Sequence, residues 1–208
     1  MNGNEFSPTI LHSLIVFILS EMDRSPGAIE FAKIVYLIDV EKASLTGKTM
    51  TGESYTRQSK GPLARNFDSC IKDMDGYEIS VSVAASGGAS QYPKRAHAQG
   101  DNPRFGPSLD AIDRIIARRV LARISNLSPL EIERLAYETE PMKAILEQDA
   151  RAGTRLPGAE IDFSLVELNP IIQKWRENMK KPVEVDARFD AFLRQEAQEI
   201  DQILASLV

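Results

Sequence analysis

Two long apolar stretches open the chain, and neither keeps its hydrophobic residues to one face. Residues 7–22 begin with Ser7-Pro8, a cap followed by proline at the first helical position, and run apolar on most sides. "DRSPG" then breaks the chain with charge, Pro26 and Gly27. Residues 28–45 form a second such helix: Ile34, Val35, Leu37 and Ile38 point to different sides, as in a helix enclosed by others. Gly47 is placed to end it. A shorter amphipathic helix over about 63–74 carries Leu63, Phe67, Cys70, Ile71 and Met74 at helical spacing. The period then changes. Tyr77, Ile79, Val81 and Val83 alternate with polar residues, which predicts a half-buried strand, and "QYPKRAHAQ" is its candidate return strand. Residues 98–107, rich in Gly and Pro, read as loop.

Helical period returns from about Ser108 to Ile124, with Leu109, Ile112, Ile116, Val120 and Ile124 on one face. Ser128-Pro129-Leu130-Glu131 is a capping box with proline at N1, opening a helix to about Tyr137. Glu140-Pro141 starts another, through Gln148, and residues 151–163 read as a linker or an extended segment. "SLVELNPIIQKWRENMKK" is helical around Pro170. Residues 186–208 make an amphipathic C-terminal helix whose stripe of Phe189, Phe192, Leu193, Ile200, Ile203, Leu204 and Leu207 needs a partner surface, in its own bundle or on another chain. The expected fold is mainly α within the α+β class: a helical bundle, a small antiparallel β-hairpin and the C-terminal amphipathic helix.

Composition narrows the classes. The 208 residues fit one domain, or one domain with an appendage, and a net charge of −5 argues against a dedicated nucleic-acid surface. The local exception is Arg114, Arg118, Arg119 and Arg123, two i,i+4 pairs on one helix; beside Asp110 and Asp113 they read first as a solvated face and second as a ridge for DNA. A single cysteine, Cys70, rules out an internal disulfide and suits a reducing cytoplasm. "ILHSLIVFIL" lacks the basic flank of a signal peptide and is too short to span a bilayer, so the expectation is a cytoplasmic chain without a membrane segment.

The letters Gly47-Lys48-Thr49 suggest a phosphate-binding loop, but the glycine such a loop needs earlier is Lys42, and no helix start follows Thr49. Two histidines, His12 and His97, supply no metal cluster. No nucleophile elbow or dinucleotide fingerprint is present, so no cofactor and no catalytic residue are assigned, an unrecognised hydrolase staying as a rival reading. What stands out is polar residues in an apolar helix. Lys33, Tyr36 and Asp39 are spaced by three and share one slanting side. At such depth they need partners, and Lys33 could meet Asp39 or a neighbouring element. Thr51-Gly52 and Gly61-Pro62 are set to turn and bracket Tyr55, which predicts a loop folded over the helix end. These residues either hold that loop in place or build a partner-binding groove.

Lys33, Tyr36, Leu37, Asp39, Thr46, Gly47, Thr51, Gly52, Tyr55, Gly61, Pro62 and Leu63, in this order and spacing, resemble the Panacea domain, the SocA-like family of antitoxin-associated proteins. The likeness continues more weakly through "LDAIDRIIAR", "LSPLEIERLAYETEPMKAI" and "GAEIDF", covering about residues 8–165. Two positions depart: Lys60 stands where an aromatic usually precedes Gly-Pro, and Met142 where a Trp often follows the proline. The resemblance implies an intracellular protein, often carried on phage-derived or mobile elements, that neutralises a cognate toxin and brings no catalytic residues. It implies a domain over 1–165, with 166–208 as a helical extension packing on it. The candidate contact surfaces are the Tyr55–Gly61 loop and the stripe Phe189, Phe192, Leu193, Ile200 and Leu204. The implied partner is the toxin protein, with a protease or a second copy as further partners left open.

Overall fold

The computed structural model describes residues 9–75, 79–83, 94–98 and 109–179. These divide between two compact units, Met1–Asn169 and Pro170–Val208. In the described residues of the first lie α1 (Ile10–Glu21), α2 (Ala28–Thr46), β1 (Tyr55–Gln58), β2 (Gly61–Ala64), α3 (Phe67–Met74), β3 (Ile79–Val83), β4 (Lys94–Ala98), α4 (Ala111–Ile124), α5 (Pro129–Tyr137), α6 (Glu140–Ala152) and a 3-10 turn at Phe163–Leu165. The second contributes α7 (Pro170–Met179), with proline at its first position. The expected mainly helical fold with a small antiparallel strand pair is what forms, with two such pairs among the described residues.

α2 is the axis. Apolar residues surround it because neighbours do: α4, α5 and β2 pack on its sides, and Phe31, Ile34, Val35 and Ile38 are all buried. The helix starts where Glu30 reaches back to the Gly27 N–H at 3.3 Å and pairs with Arg24. It stops at Gly47, whose φ of 77° places it in the left-handed region, with its N–H on the Ala43 carbonyl. "GKT" is therefore a helix end, the opposite of what a phosphate loop offers. α1 lies against α3, α4 and β4. Its cap is Thr9, two residues later than Ser7, because His12 accepts from the Thr9 N–H at 3.1 Å.

Two stretches differ from the sequence expectation. Residues 61–64 pair as a strand rather than opening the next helix, so α3 starts at Phe67. Antiparallel pairing, with Tyr55 opposite Ala64 and Gln58 opposite Gly61, makes the 51–62 region a two-residue-turn hairpin rather than an irregular loop. The other edge of β1 is covered by residues 158–161: the Arg57 N–H reaches the Ala159 carbonyl, and the Ile161 N–H reaches the Tyr55 carbonyl. The supposed linker thus works as a third strand in part. β3 and β4 pair antiparallel with Ile79 opposite Ala98. α6 runs on to Ala152, capped by left-handed Gly153. Ser128 and Glu131 form the expected reciprocal cap at the start of α5. The C-terminal stripe Phe189, Phe192, Leu193, Ile200 and Leu204 lies outside the described residues.

One position on the α4 stripe breaks rank. Leu109, Ile116, Val120 and Ile124 are buried, whereas Ile112 is 61% exposed, on the side of the first turn away from Asp113 and its pairing with Lys42 of α2. Ile116→Ala should cost about 2–5 kcal/mol in urea unfolding, and Ile112→Ala should stay within about 0.5 kcal/mol.

Candidate functional site

The polar residues of α2 converge on the hairpin and its approach. Asp39 has no exposed surface, and four donors surround its carboxylate. Oδ1 accepts the N–H groups of Met50 at 2.6 Å and Thr51 at 2.9 Å. Oδ2 accepts the hydroxyls of Thr51 and of Tyr55, the latter at 2.7 Å. Burial raises the Asp39 pKa, and these hydrogen bonds offset part of the rise. The Tyr55 hydroxyl is pushed well above its ordinary value by burial and by the carboxylate it faces, so it stays a donor.

Tyr36, one turn before Asp39, is equally buried, with its ring edge-on to Tyr55 at 5.4 Å and to Phe163 at 5.6 Å. Its hydroxyl lies 2.7 Å from the Thr139 hydroxyl at the start of α6. Thr139 spends its proton on the Ala136 carbonyl, so Tyr36 donates. Three distant segments meet on this aromatic cluster.

Lys33 is 1% exposed and does not pair with Asp39; its ammonium donates to the Lys60 carbonyl in the hairpin turn. Burial lowers its pKa to about 8; Glu133 works against the drop and Lys60 adds to it. Gly61 is required above it. Its φ is 105°, and a Cβ there would sit 2.9 Å from the Lys33 Nζ and 3.2 Å from the Tyr137 hydroxyl. Pro62 follows, buried opposite Arg57 on the outer strand of the hairpin, where no ladder N–H is needed from it. Gly52, also at positive φ, turns the exposed chain between Thr51 and β1.

The structure therefore brings Lys33, Tyr36, Asp39, Thr51, Tyr55, Gly61 and Pro62 into one region. Their polar side chains are buried or half-buried, with hydrogen bonds directed inward. Sequence reasoning missed what they meet: Thr139, Phe163 and the Lys60 carbonyl. It also missed Arg57, 3% exposed, which reaches Asp149 on α6 at 3.1 Å and the Gln58 carbonyl at 2.9 Å. Alternation with Tyr55 was the available signal, visible only once residues 55–58 are read as a strand.

Other candidates resolve into structure. Arg118 grips Glu21 through two hydrogen bonds of 2.8–2.9 Å, while Arg119 and Arg123 both reach Glu41 at 3.4 Å. These three arginines tie α4 to α1 and α2, which weakens the DNA-ridge reading. Cys70 is buried 3.7 Å from His12 Nδ1, and burial pushes its pKa up to about 12, away from any thiolate. Among the described residues, no group of His, Cys, Asp and Glu could hold a metal ion, and no helix is long and apolar enough to cross a membrane.

A family model described as antitoxin SocA-like, Panacea domain, matches residues 31–141, just over half of the chain. The match spans α2, both hairpins, α4, α5 and the first residues of α6. No curated protein and no solved structure matches.

Two measurements test the network. Asp39→Ala leaves four donors facing a buried gap and should cost upwards of about 3 kcal/mol, against about 1–2 kcal/mol for Tyr55→Phe, which removes one. Lys33 predicts a pH effect. Between about pH 8 and its ordinary pKa of 10.5 the unfolded chain holds a proton that the folded chain has released, so stability rises with pH through that window. Cys70, Tyr36 and Tyr55 act in the opposite direction at higher pH but are common to wild type and variant. The stability difference between wild type and Lys33→Met should therefore shift in favour of wild type by about 2–3 kcal/mol from pH 7.5 to 10.5.

Proposed function

Because the chain belongs to the antitoxin SocA-like, Panacea domain family, we propose that it is an antitoxin that binds a cognate toxin protein and neutralises it by contact, without a chemical step. Family membership across α2 and the hairpins carries this reading. The geometry supports contact over catalysis: the residues that give the family its sequence pattern hold α2, the hairpin and α6 together through inward hydrogen bonds. Their role is to shape a surface, and the toxin meets what lies outside them. A partner covering a toxin's working face stops it without any reaction. In this proposal the protein acts in the cytoplasm, residues 1–165 form the neutralising domain, and the 166–208 extension shares in the contact. The stripe Phe189, Phe192, Leu193, Ile200 and Leu204 is its apolar face.

The test is capture of the tagged full chain from its own cells, followed by expression of each stoichiometric partner alone and together with the chain. The expected result is one protein that halts growth alone and is silenced by co-expression. If no captured protein arrests growth, or arrest persists with the chain present, the antitoxin reading falls. Phe192→Asp with Leu204→Asp should abolish rescue with the melting temperature unchanged; a lowered melting temperature would make the stripe core instead.

A further inference from the structure

Arg57 is a buried charge whose hydrogen bonding is incomplete. Its guanidinium is buried at the foot of β1, held by Asp149 and the Gln58 carbonyl, yet its Nε–H has no hydrogen-bond partner. A buried donor on a cation is costly to leave unmet. Arg57 also lines a wide, open cleft of about 640 Å³ formed by β1, α5 and α6, a shape that suits a chain laid along the surface rather than an enclosed small molecule. Tyr137 and Glu133 of α5 form one wall and Leu146 of α6 another, while Thr154 and Arg155 stand beyond Gly153.

We propose that this cleft seats an extended peptide segment of a partner protein, which places a carbonyl or carboxylate oxygen against Arg57. The mixture of charges selects the class. Arg57 and Arg155 are matched by Glu133 and Asp149, so a phosphate or nucleic-acid backbone meets as much repulsion as attraction. A peptide brings acceptors for the arginines and for Tyr137, and N–H donors for Glu133, in one strand. Leu146, 38% exposed, offers an apolar contact for a side chain of the same segment. Asp149 is already engaged, accepting from Arg57 and from the Leu156 N–H at 2.7 Å, and so fixes the guanidinium in place. In the antitoxin reading, on which this identification of the partner rests, the segment belongs to the toxin.

Panning a random heptapeptide library on the immobilised full chain tests the cleft without needing the toxin. Enriched peptides should bind wild type at least about tenfold more tightly than Arg155→Glu with Leu146→Asp, two changes at exposed positions that leave the core intact. Arg57→Met should lose the same peptides; should that variant fail to fold, the rim variant decides. No enrichment, equal binding to wild type and rim variant, or displacement of the peptides by inorganic phosphate overturns the proposal. The rim variant in the growth assay separates the two ideas. If wild type fails to rescue, the antitoxin reading falls alone. If wild type rescues and the rim variant rescues equally well, the toxin does not use the cleft and this proposal falls.

Discussion

A carboxylate with no exposed surface, set in the middle of the most enclosed helix, governs the rest of the domain. Removing Asp39 from water is costly, and the chain offsets that cost only by bending so that four donors surround it. Two of the four are backbone N–H groups, which fix the path after Gly47 whatever the side chains there. The Tyr55 hydroxyl then fixes where β1 begins. Once Tyr55 faces inward, strand alternation turns Arg57 inward as well, and the two-residue turn brings the Lys60 carbonyl over Lys33. One acid thereby orders a helix exit, a hairpin and a buried cation.

Much of this was legible in the sequence, for reasons that differ by element. α2 could be read because it is apolar on all sides, and α5 because a capping box and a proline mark its first residue. Lys33, Tyr36 and Asp39 stood out as polar positions where burial demands partners. The partners themselves could not be read. Lys33 is satisfied by a backbone carbonyl, which every residue carries, so nothing in the residue types distinguishes Lys60 from its neighbours. Tyr36 finds Thr139 about a hundred positions away, through a contact only tertiary packing creates. The first hairpin was missed because Gly61-Pro62 reads locally as a turn, whereas pairing with β1 makes it a strand. Ile112 matched the helical stripe by spacing, yet at the first turn of α4 no neighbour reaches it.

The division of labour in the domain follows. Polar groups that look like chemistry, among them a buried lysine, a buried acid and two tyrosines, are consumed in holding parts together, and their hydrogen bonds close within the chain. The ion pairs of α4 do the same near the surface, at modest strength, by bracing it on α1 and α2. Such rigidity suits the proposed antitoxin role, since every loop ordered beforehand is entropy not lost on binding. Arg57 is the exception, a buried cation whose Nε–H the chain leaves without an acceptor.

The strand-like pairing of residues 158–161 with β1 also bears on synthesis at the ribosome. β1 and β2 are made early and can pair at once, but the outer edge of β1 closes only when the chain beyond α6 emerges. Until then the nascent protein carries an open strand edge, a surface that other chains can extend. Closing it after the helices makes the end of the domain a checkpoint on its beginning: a product cut short before Gly158 would retain α1 to α6 but not the seal, leaving it suited to aggregation or disposal.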